Sequence, residues 1–234
     1  MKYTYLLLNV FTILIPLLRS FEGRLQFYKK WPALFPAITI TAIFFLVWDY
    51  FKTHYGVWGF NPQYVMGYYF FGLPVEEILF FITVPYACAF IYETVAYFSN
   101  SRLNRLRLKW PVRVIGVLMF AASLLLFGKA YTFSVLFIGG PVFIAATFLM
   151  DNTAFACLLV TYALSLLPMA IVNGVLTALP IVIYNNAENL NLRLGTIPVE
   201  DFIYSSILLS MNFSLYEWQK RKVKSNYNQL IASA

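Results

Sequence analysis

The sequence predicts an all-α, multi-pass membrane protein, with seven transmembrane helices arranged as two parallel three-helix repeats joined by a linker helix. Composition is one reason: 61% of the 234 residues are hydrophobic and 12% charged, with a mean hydropathy of +0.70, a balance foreign to soluble globular domains. Patterning is a second. Apolar runs of 16 or more residues recur along the chain, close to the ~20 that a helix needs to cross a bilayer. They do not alternate residue by residue as the strands of a membrane barrel would. The third reason is a repeat. Pro74-Val75-Glu76-Glu77 returns 124 residues later as Pro198-Val199-Glu200-Asp201, each time opening a long apolar run.

The predicted spans are 3–18, 32–51, 75–98, 112–128, 131–149, 154–176 and 199–219. The first ends at Arg19-Ser20 without a small-residue cleavage signature, so it reads as a retained helix rather than a signal peptide. Basic residues fall between the spans in three clusters: Arg19, Arg24, Lys29 and Lys30; Arg102, Arg105, Arg107, Lys109 and Arg113; then Lys220, Arg221, Lys222 and Lys224. These are thirteen of the 17 basic residues, and seven spans put them all on one face of the membrane. The positive-inside rule then places the protein in the cell membrane with its N-terminus outside and its C-terminus cytoplasmic. The net charge of +7 is accounted for by topology, so no nucleic-acid partner is expected, and no obligate protein partner either.

The 124-residue offset also superimposes Asp49 on Asn173, Phe60 on Tyr184, Asn61 on Asn185, Tyr92 on Tyr216 and Glu93 on Glu217, in one ungapped register across 45 residues. Such a register marks a tandem duplication in which spans one to three map onto spans five to seven. Span four has no counterpart. Three helices carry a chain across the membrane, so a second copy attached directly would be inverted; the extra helix makes the repeats parallel, an arrangement known in membrane proteins. The expected organisation is a first repeat over 1–100, a basic loop and linker helix over 101–129, a second repeat over 130–222 and a cytoplasmic tail over 223–234.

This topology puts Asp49, Glu76, Glu77, Glu200 and Asp201, with Asn173, at one membrane depth, flanking a central cavity if the repeats face one another. Proline at a helix start costs no hydrogen bond, and acids there meet the positive end of the helix dipole, which is enough to explain a single copy. Ionisable groups at membrane depth are nevertheless costly and functional by default, and here they are duplicated. Adjacent carboxylates in a poorly solvated site do not readily ionise together. One then serves as a proton donor beside a charged partner, the division used in acid–base sites.

Residues 58–71 hold seven aromatics: Trp58, Phe60, Tyr64, Tyr68, Tyr69, Phe70 and Phe71. They form either a belt at the lipid–water boundary or the wall of a cavity whose π faces steady a transient cation. Glu93 and Glu217 lie ~25 Å further down their helices at ~1.5 Å per residue, beside basic residues, and read as structural. Cys88 and Cys157 read as small buried hydrophobes. His54, the only histidine, cannot build a histidine-based metal centre, and neither metal nor cofactor is expected.

The tandem Pro-hydrophobic-Glu-Glu signature, together with Trp48-Asp49, the segment Gly56-Val57-Trp58-Gly59-Phe60-Asn61-Pro62 and the segment Tyr184-Asn185-Asn186-Ala187-Glu188-Asn189, resembles the lycopene cyclase domain family. That family comprises integral-membrane carotenoid cyclases that occur as two small subunits or as a fused pair. The resemblance covers all but about the last dozen residues. It implies cyclisation of the linear ends of lycopene, or of a related acyclic carotenoid, most often to β-ionone rings by way of γ-carotene to β-carotene. A proton adds at C2 of the terminal unit, the C5–C6 double bond attacks the C1 cation, and a proton leaves C6; the reaction is a non-redox isomerisation. Consistently, the chain lacks the GxGxxG fingerprint of a dinucleotide-binding enzyme. On this resemblance Glu76 and Glu77 match the motif fully and are the first choice for the proton donor, while Glu200 with Asp201 carries a shortened second acid. Asn173 in place of Asp49 is a further asymmetry. Asn173, Trp58, Phe60, Asn61, Tyr184 and Asn185 are the expected substrate-binding residues. The main rival is a proton-coupled transporter with acids at a repeat interface. A prenyltransferase would need clustered aspartates for magnesium, and Asp49, Asp151 and Asp201 are scattered. A retinal protein would need a lysine within span seven, which is absent.

Overall fold

The computed structural model describes residues 1–103 and 107–232. Arg105 and the last two residues of the expected tail lie outside the described residues, as do the side chains of Arg102 and Lys224. Among the described residues seven α-helices follow one another: α1 (Thr4–Arg19), α2 (Trp31–His54, entered through a 3-10 turn at Phe27–Lys30), α3 (Val75–Leu103), α4 (Lys109–Ser123), α5 (Ala130–Leu149), α6 (Asn152–Ala178) and α7 (Val199–Ala232). Among the described residues, four helices are long and apolar enough to cross a membrane: Phe27–His54, Val75–Phe98, Ala130–Leu149 and Asn152–Ala178. The 16 residues of α1 and the 15 of α4 each rise no more than about 24 Å at 1.5 Å per residue, short of a hydrocarbon core of ~30 Å. Helix α7 has the length, but polar Ser205, Ser206, Ser210, Asn212 and Ser214 dilute its apolar character.

The fourth apolar run departs most from expectation. A helix over 112–128 is predicted, yet α4 starts three residues earlier and stops at Ser123. Beyond it the amides of Leu124, Leu125 and Leu126 bond the carbonyls three residues back, at 3.2, 3.1 and 3.0 Å, a tightened last turn that ends the helix although the sequence stays apolar. Helix α6 begins on a true N-cap: the Asp151 side chain accepts from Ala154 N–H at 2.8 Å, satisfying an amide that the first turn leaves free. Helices α4 and α5 approach closely at glycines. A methyl group on Gly116 would stand 2.8 Å from the Gly140 carbonyl oxygen, the small-residue contact by which apolar helices bring their backbones together.

Three short antiparallel strand pairs, absent from the all-α expectation, cover the end of the bundle at which α2 and α6 finish. Strand β1 (Trp58–Phe60) follows α2 and pairs with β4 (Val182–Tyr184), which follows α6. Trp58 lies opposite Tyr184, Gly59 opposite Ile183 and Phe60 opposite Val182. Strands β2 (Tyr69–Phe70) and β3 (Leu73–Pro74) form a hairpin ahead of α3, and β5 (Arg193–Leu194) and β6 (Ile197–Pro198) form another ahead of α7. Pro74 and Pro198 thus close hairpins, and each helix starts one residue later than a proline in the first turn would require. Around these caps α1 packs on α3 and α5 on α7, while α2 lies against α7 and α3 against α6. The two halves of the chain are therefore interlocked rather than side by side.

Apolar packing gathers at both ends. One cluster joins Phe27, Tyr86, Tyr92, Phe155, Phe213 and Tyr216; a second, beneath the strands, joins Phe45, Trp48, Trp58, Phe81, Tyr131 and Ile207; a third joins Tyr5, Val65, Val172, Leu176 and Ile181.

Candidate active site

The two acidic pairs are built alike. In each, the first acid turns outward to the connecting loop and the second turns into the bundle, because consecutive helical residues point about 100° apart. Glu76 Oε1 accepts from Met66 N–H at 2.6 Å, and Glu200 Oε1 accepts from Leu190 N–H at 2.8 Å and from Thr132 Oγ1 at 2.6 Å. Both glutamates are buried. They hold the loops that cap α3 and α7 and do not line the cavity. The start of α1 is tied to the same loop by Tyr5 N–H to the Tyr64 carbonyl, 3.2 Å, and the start of α5 by Tyr131 N–H to the Glu188 carbonyl, 2.8 Å.

Glu77 and Asp201 face a cavity of about 390 Å³, and Asp49 joins them from the last turns of α2. All three carboxyl groups are buried. The Asp49 and Glu77 side chains stand together on the cavity wall, close enough to act on one another. Four phenols point at the acids. Tyr5 donates to Glu77 Oε2 at 2.5 Å and Tyr204 to Asp49 Oδ1 at 2.5 Å. Tyr131 donates to Asp201 Oδ1 at 2.6 Å and Tyr184 to Asp201 Oδ2 at 2.9 Å. Tyr184 stands on β4, outside the helices; burial, reinforced by the Asp201 carboxyl beside it, pushes its phenol well above the usual range, so it keeps its proton and acts as a donor.

The rest of the wall is apolar. Trp58 and Phe60 from β1 and Val182 and Tyr184 from β4 cap the acid end. The Trp58 ring meets Tyr131 edge-on, with ring centroids 5.0 Å apart. The aromatic stretch 58–71 thus splits in two. Trp58 and Phe60 line the cavity, while Tyr68, Tyr69, Phe70 and Phe71 are exposed on the hairpin.

The remaining expected residues divide in the same way. Asn173 lines the cavity with Asp49. Asn61 and Asn185 do not; they shape turns, their side-chain oxygens accepting from Gln63 N–H and Ala187 N–H, each at 3.0 Å, and Asn185 Nδ2 reaches the Gly56 carbonyl at 3.2 Å. Glu93 and Glu217 sit at the far end in a crossed arrangement. Tyr216 donates to Glu93 at 2.9 Å, Tyr92 to Glu217 at 3.0 Å, and Lys220 bonds both acids at 3.0 and 2.8 Å. Cys88 and Cys157 are buried free thiols, and Cys88 lies on the cavity wall.

Sequence reasoning missed Tyr5, Tyr131 and Tyr204. Tyr5 and Tyr131 do correspond, each donating to the inward acid of its own motif helix, but at an offset of 126 rather than 124. A search tolerating a two-residue shift would have paired them. Tyr204 falls on Phe80 under the 124-residue offset, so the repeat carries no signal for it.

A buried set of carboxyl groups and phenols at the closed end of an apolar cavity defines a site for acid chemistry on an apolar ligand. The family model described as lycopene cyclase matches residues 2–95 and 114–219, and the chain belongs to that family. The two matched segments lie in tandem, as in a fused form. No curated protein matches the chain. No solved structure does either.

Proposed function

We propose that the protein is a lycopene cyclase of carotenoid biosynthesis, most readily a β-cyclase, closing the linear ends of lycopene to γ- and β-carotene. The observation that carries this is the convergence of Asp49, Glu77 and Asp201 with Trp58, Phe60 and Tyr184 at one end of an apolar cavity. Two neighbouring carboxyl groups in an apolar cavity hold one proton between them, since a second negative charge so close is costly. The Asp49–Glu77 pair is therefore the proton donor to C2 of the terminal isoprene unit. Asp201 accepts phenolic hydrogen bonds on both oxygens, so the second half presents it as the acceptor of the site. It steadies the C1 cation, and after the C5–C6 double bond has attacked, it receives the C6 proton. The faces of Trp58 and Phe60 add cation–π stabilisation while charge is spread over the ring. Atoms balance without oxidant or reductant: one proton enters and one leaves.

Glu76 and Glu200 support this chemistry from outside the cavity by fixing the loops. The two halves divide the labour, the first supplying the donor pair and the second the base. In this reading all seven helices are embedded, the shorter α1 and α4 with help from flanking residues. The halves are parallel repeats related by an axis along the membrane normal, with the strand caps outside and the Lys220 end cytoplasmic. The Trp58–Phe60 and Val182–Tyr184 ladder, which pairs equivalent residues crosswise, supports such an axis. So do the crossed bonds of Tyr92 to Glu217 and Tyr216 to Glu93.

Pigment analysis of a lycopene-accumulating bacterial host tests the assignment. The parent chain should yield bicyclic carotenoid, and Glu77→Gln, present in the membrane at equal amount, should leave lycopene. Unchanged lycopene with the parent chain would refute it.

A further inference from the structure

The cavity is a slot with one closed end and one open flank. Along α3 its lining runs from Glu77 through Val84 and Cys88 to Ile91, fourteen residues or roughly 21 Å of helix at ~1.5 Å per residue. Facing walls come from α1, which contributes Phe11 and Ile15, and from α6, which contributes Leu167 and Ile171. At the strand end the slot is capped by Trp58, which is buried, and by the half-buried Phe60, Val182 and Tyr184. Along its length the lips are exposed: Phe11 62%, Ile15 64%, Leu167 71% and Ile171 52%. A proline stands in each lip, Pro16 in α1 and Pro168 in α6. Proline removes a backbone hydrogen bond from the helix that carries it, so each lip is weakened in its own backbone where it borders the slot. The lips are apolar and belong to helices of a membrane bundle, so the opening faces acyl chains, not water.

We infer that this slot is a lateral portal between α1 and α6, through which one end of a linear polyene enters from the bilayer and lies lengthwise along α3. The inference rests on the cyclase reading for the identity of the polyene but not for the shape of the site. An occupant of this slot must be long, unbranched in outline and apolar throughout, because the groups between the acids and Ile91 that would meet it, apart from the small side chains of Thr12, Cys88, Ser165 and Ser205, are apolar or aromatic. Asp49, Glu77, Asp201 and Asn173, drawn from both halves, all face this one slot, so the acids serve one chain end at a time. A bicyclic product then requires the half-cyclised chain to leave sideways, turn end for end and re-enter.

Tryptophan substitution at the lips tests this. Ile15→Trp and Leu167→Trp fill the opening from opposite sides at exposed positions; Ile43→Trp, on an exposed face of α2 away from the slot, is the control. Each chain is purified from a lycopene-accumulating host, and retained lycopene and cyclised product are measured per mole of membrane-inserted protein. Both lip variants should lose at least tenfold in product and in retained polyene, and the control should match the parent. Parental turnover in either lip variant at parental amounts would overturn the portal. A parent that retains lycopene without cyclising it, with retention lost in the lip variants, would uphold the portal and refute the cyclase reading. If both lip variants fail to accumulate, the product time course of the parent decides. Monocyclic carotenoid should build up free in the membrane before bicyclic product appears, and bicyclic product formed without that lag would overturn the one-end-at-a-time site.

Discussion

The Tyr204 phenol on α7 donates to Asp49 Oδ1 on α2 at 2.5 Å across 155 residues of sequence, so the donor pair assigned to the first half of the chain is oriented by a side chain of the second. A hydrogen bond to an ionisable partner is worth about 1.5–3 kcal/mol. If it holds Asp49 against Glu77 in the geometry that delivers the proton, removing the hydroxyl should cost about ten- to a hundredfold in rate. The expected outcome for Tyr204→Phe is slow cyclisation with lycopene still retained by the purified protein. Parental initial rates would show that Asp49 needs no such positioning.

Glu76 and Glu77 are neighbours in sequence but differ in what they touch, and amide substitution should separate them. A glutamine at 76 still offers an oxygen to Met66 N–H, so the loop stays tethered and product formation should fall less than about tenfold, the equivalent of one ordinary hydrogen bond at ~1 kcal/mol. A glutamine at 77 has no proton to give, and turnover should drop by more than a hundredfold, the range of general acid contributions. Equal losses from the two variants would remove the distinction.

The same comparison between Glu77→Gln and Asp201→Asn addresses the division of labour between the halves. Loss of the proton donor should leave intact lycopene in the site. Loss of the base should still permit protonation, so that product partitioning changes as the cation sheds a different proton. Identical loss of activity and of polyene retention in both variants would sink the division.

Much of this site is legible in the sequence because repetition marks it. The motif acids recur at one offset, and their placement at helix starts follows from the proline and the apolar run behind it. Two things stay hidden for physical reasons. Which of two adjacent acids faces inward depends on helical phase, which an apolar surround on all sides does not reveal. The phenols that orient the acids come from α1, α5 and α7, and the two-residue difference in register between Tyr5 and Tyr131 breaks the correspondence that exposes the acids. The end of α4 is likewise invisible, since Leu124, Leu125, Leu126 and Phe127 keep the run apolar where the backbone turns. Nor does hydropathy mark the crossing of β1 with β4, three-residue strands in the connectors that follow α2 and α6, although it locks the two halves together over the cavity.

At the opposite end, Lys220 lies between Glu93 and Glu217. Burial alone would lower its ammonium, and the two carboxylates beside it more than offset that and raise it above the ordinary lysine range. Its side chain is 29% exposed, so removing it should cost less than the 3–5 kcal/mol of a fully buried pair, about 2 kcal/mol. Lys220→Met should therefore unfold at a lower temperature in detergent, while cyclisation by the protein that remains folded should proceed at the parental rate. A raised folded-state value also means that this stabilisation is fully present below the unfolded lysine value and is lost as pH rises through the folded one. The melting gap between parent and variant should accordingly narrow only in strong alkali. A gap that closed on acidification toward neutrality would assign the stabilisation to another group.

Gly140 gives the clearest test of the packing that holds α4 to the rest of the bundle. A methyl group there would collide with the Gly116 carbonyl oxygen and stand 3.1 Å from Phe120 Cβ and from the Phe120 amide nitrogen. Backbone cannot swing aside as a long side chain can, so the two helices must separate, and over-packing of this kind costs about 1–3 kcal/mol. Helix α4 contributes nothing to the acid end, whereas α5 carries Tyr131, the donor to Asp201. A shift of α5 should thus be felt at the base and not at the donor pair. Gly140→Ala is expected to lower the melting temperature and to change product partitioning more than the overall rate of lycopene loss. A variant with parental stability would show that α4 is free to move away from α5 at no cost, and that the close approach of Gly116 and Gly140 is incidental to the fold.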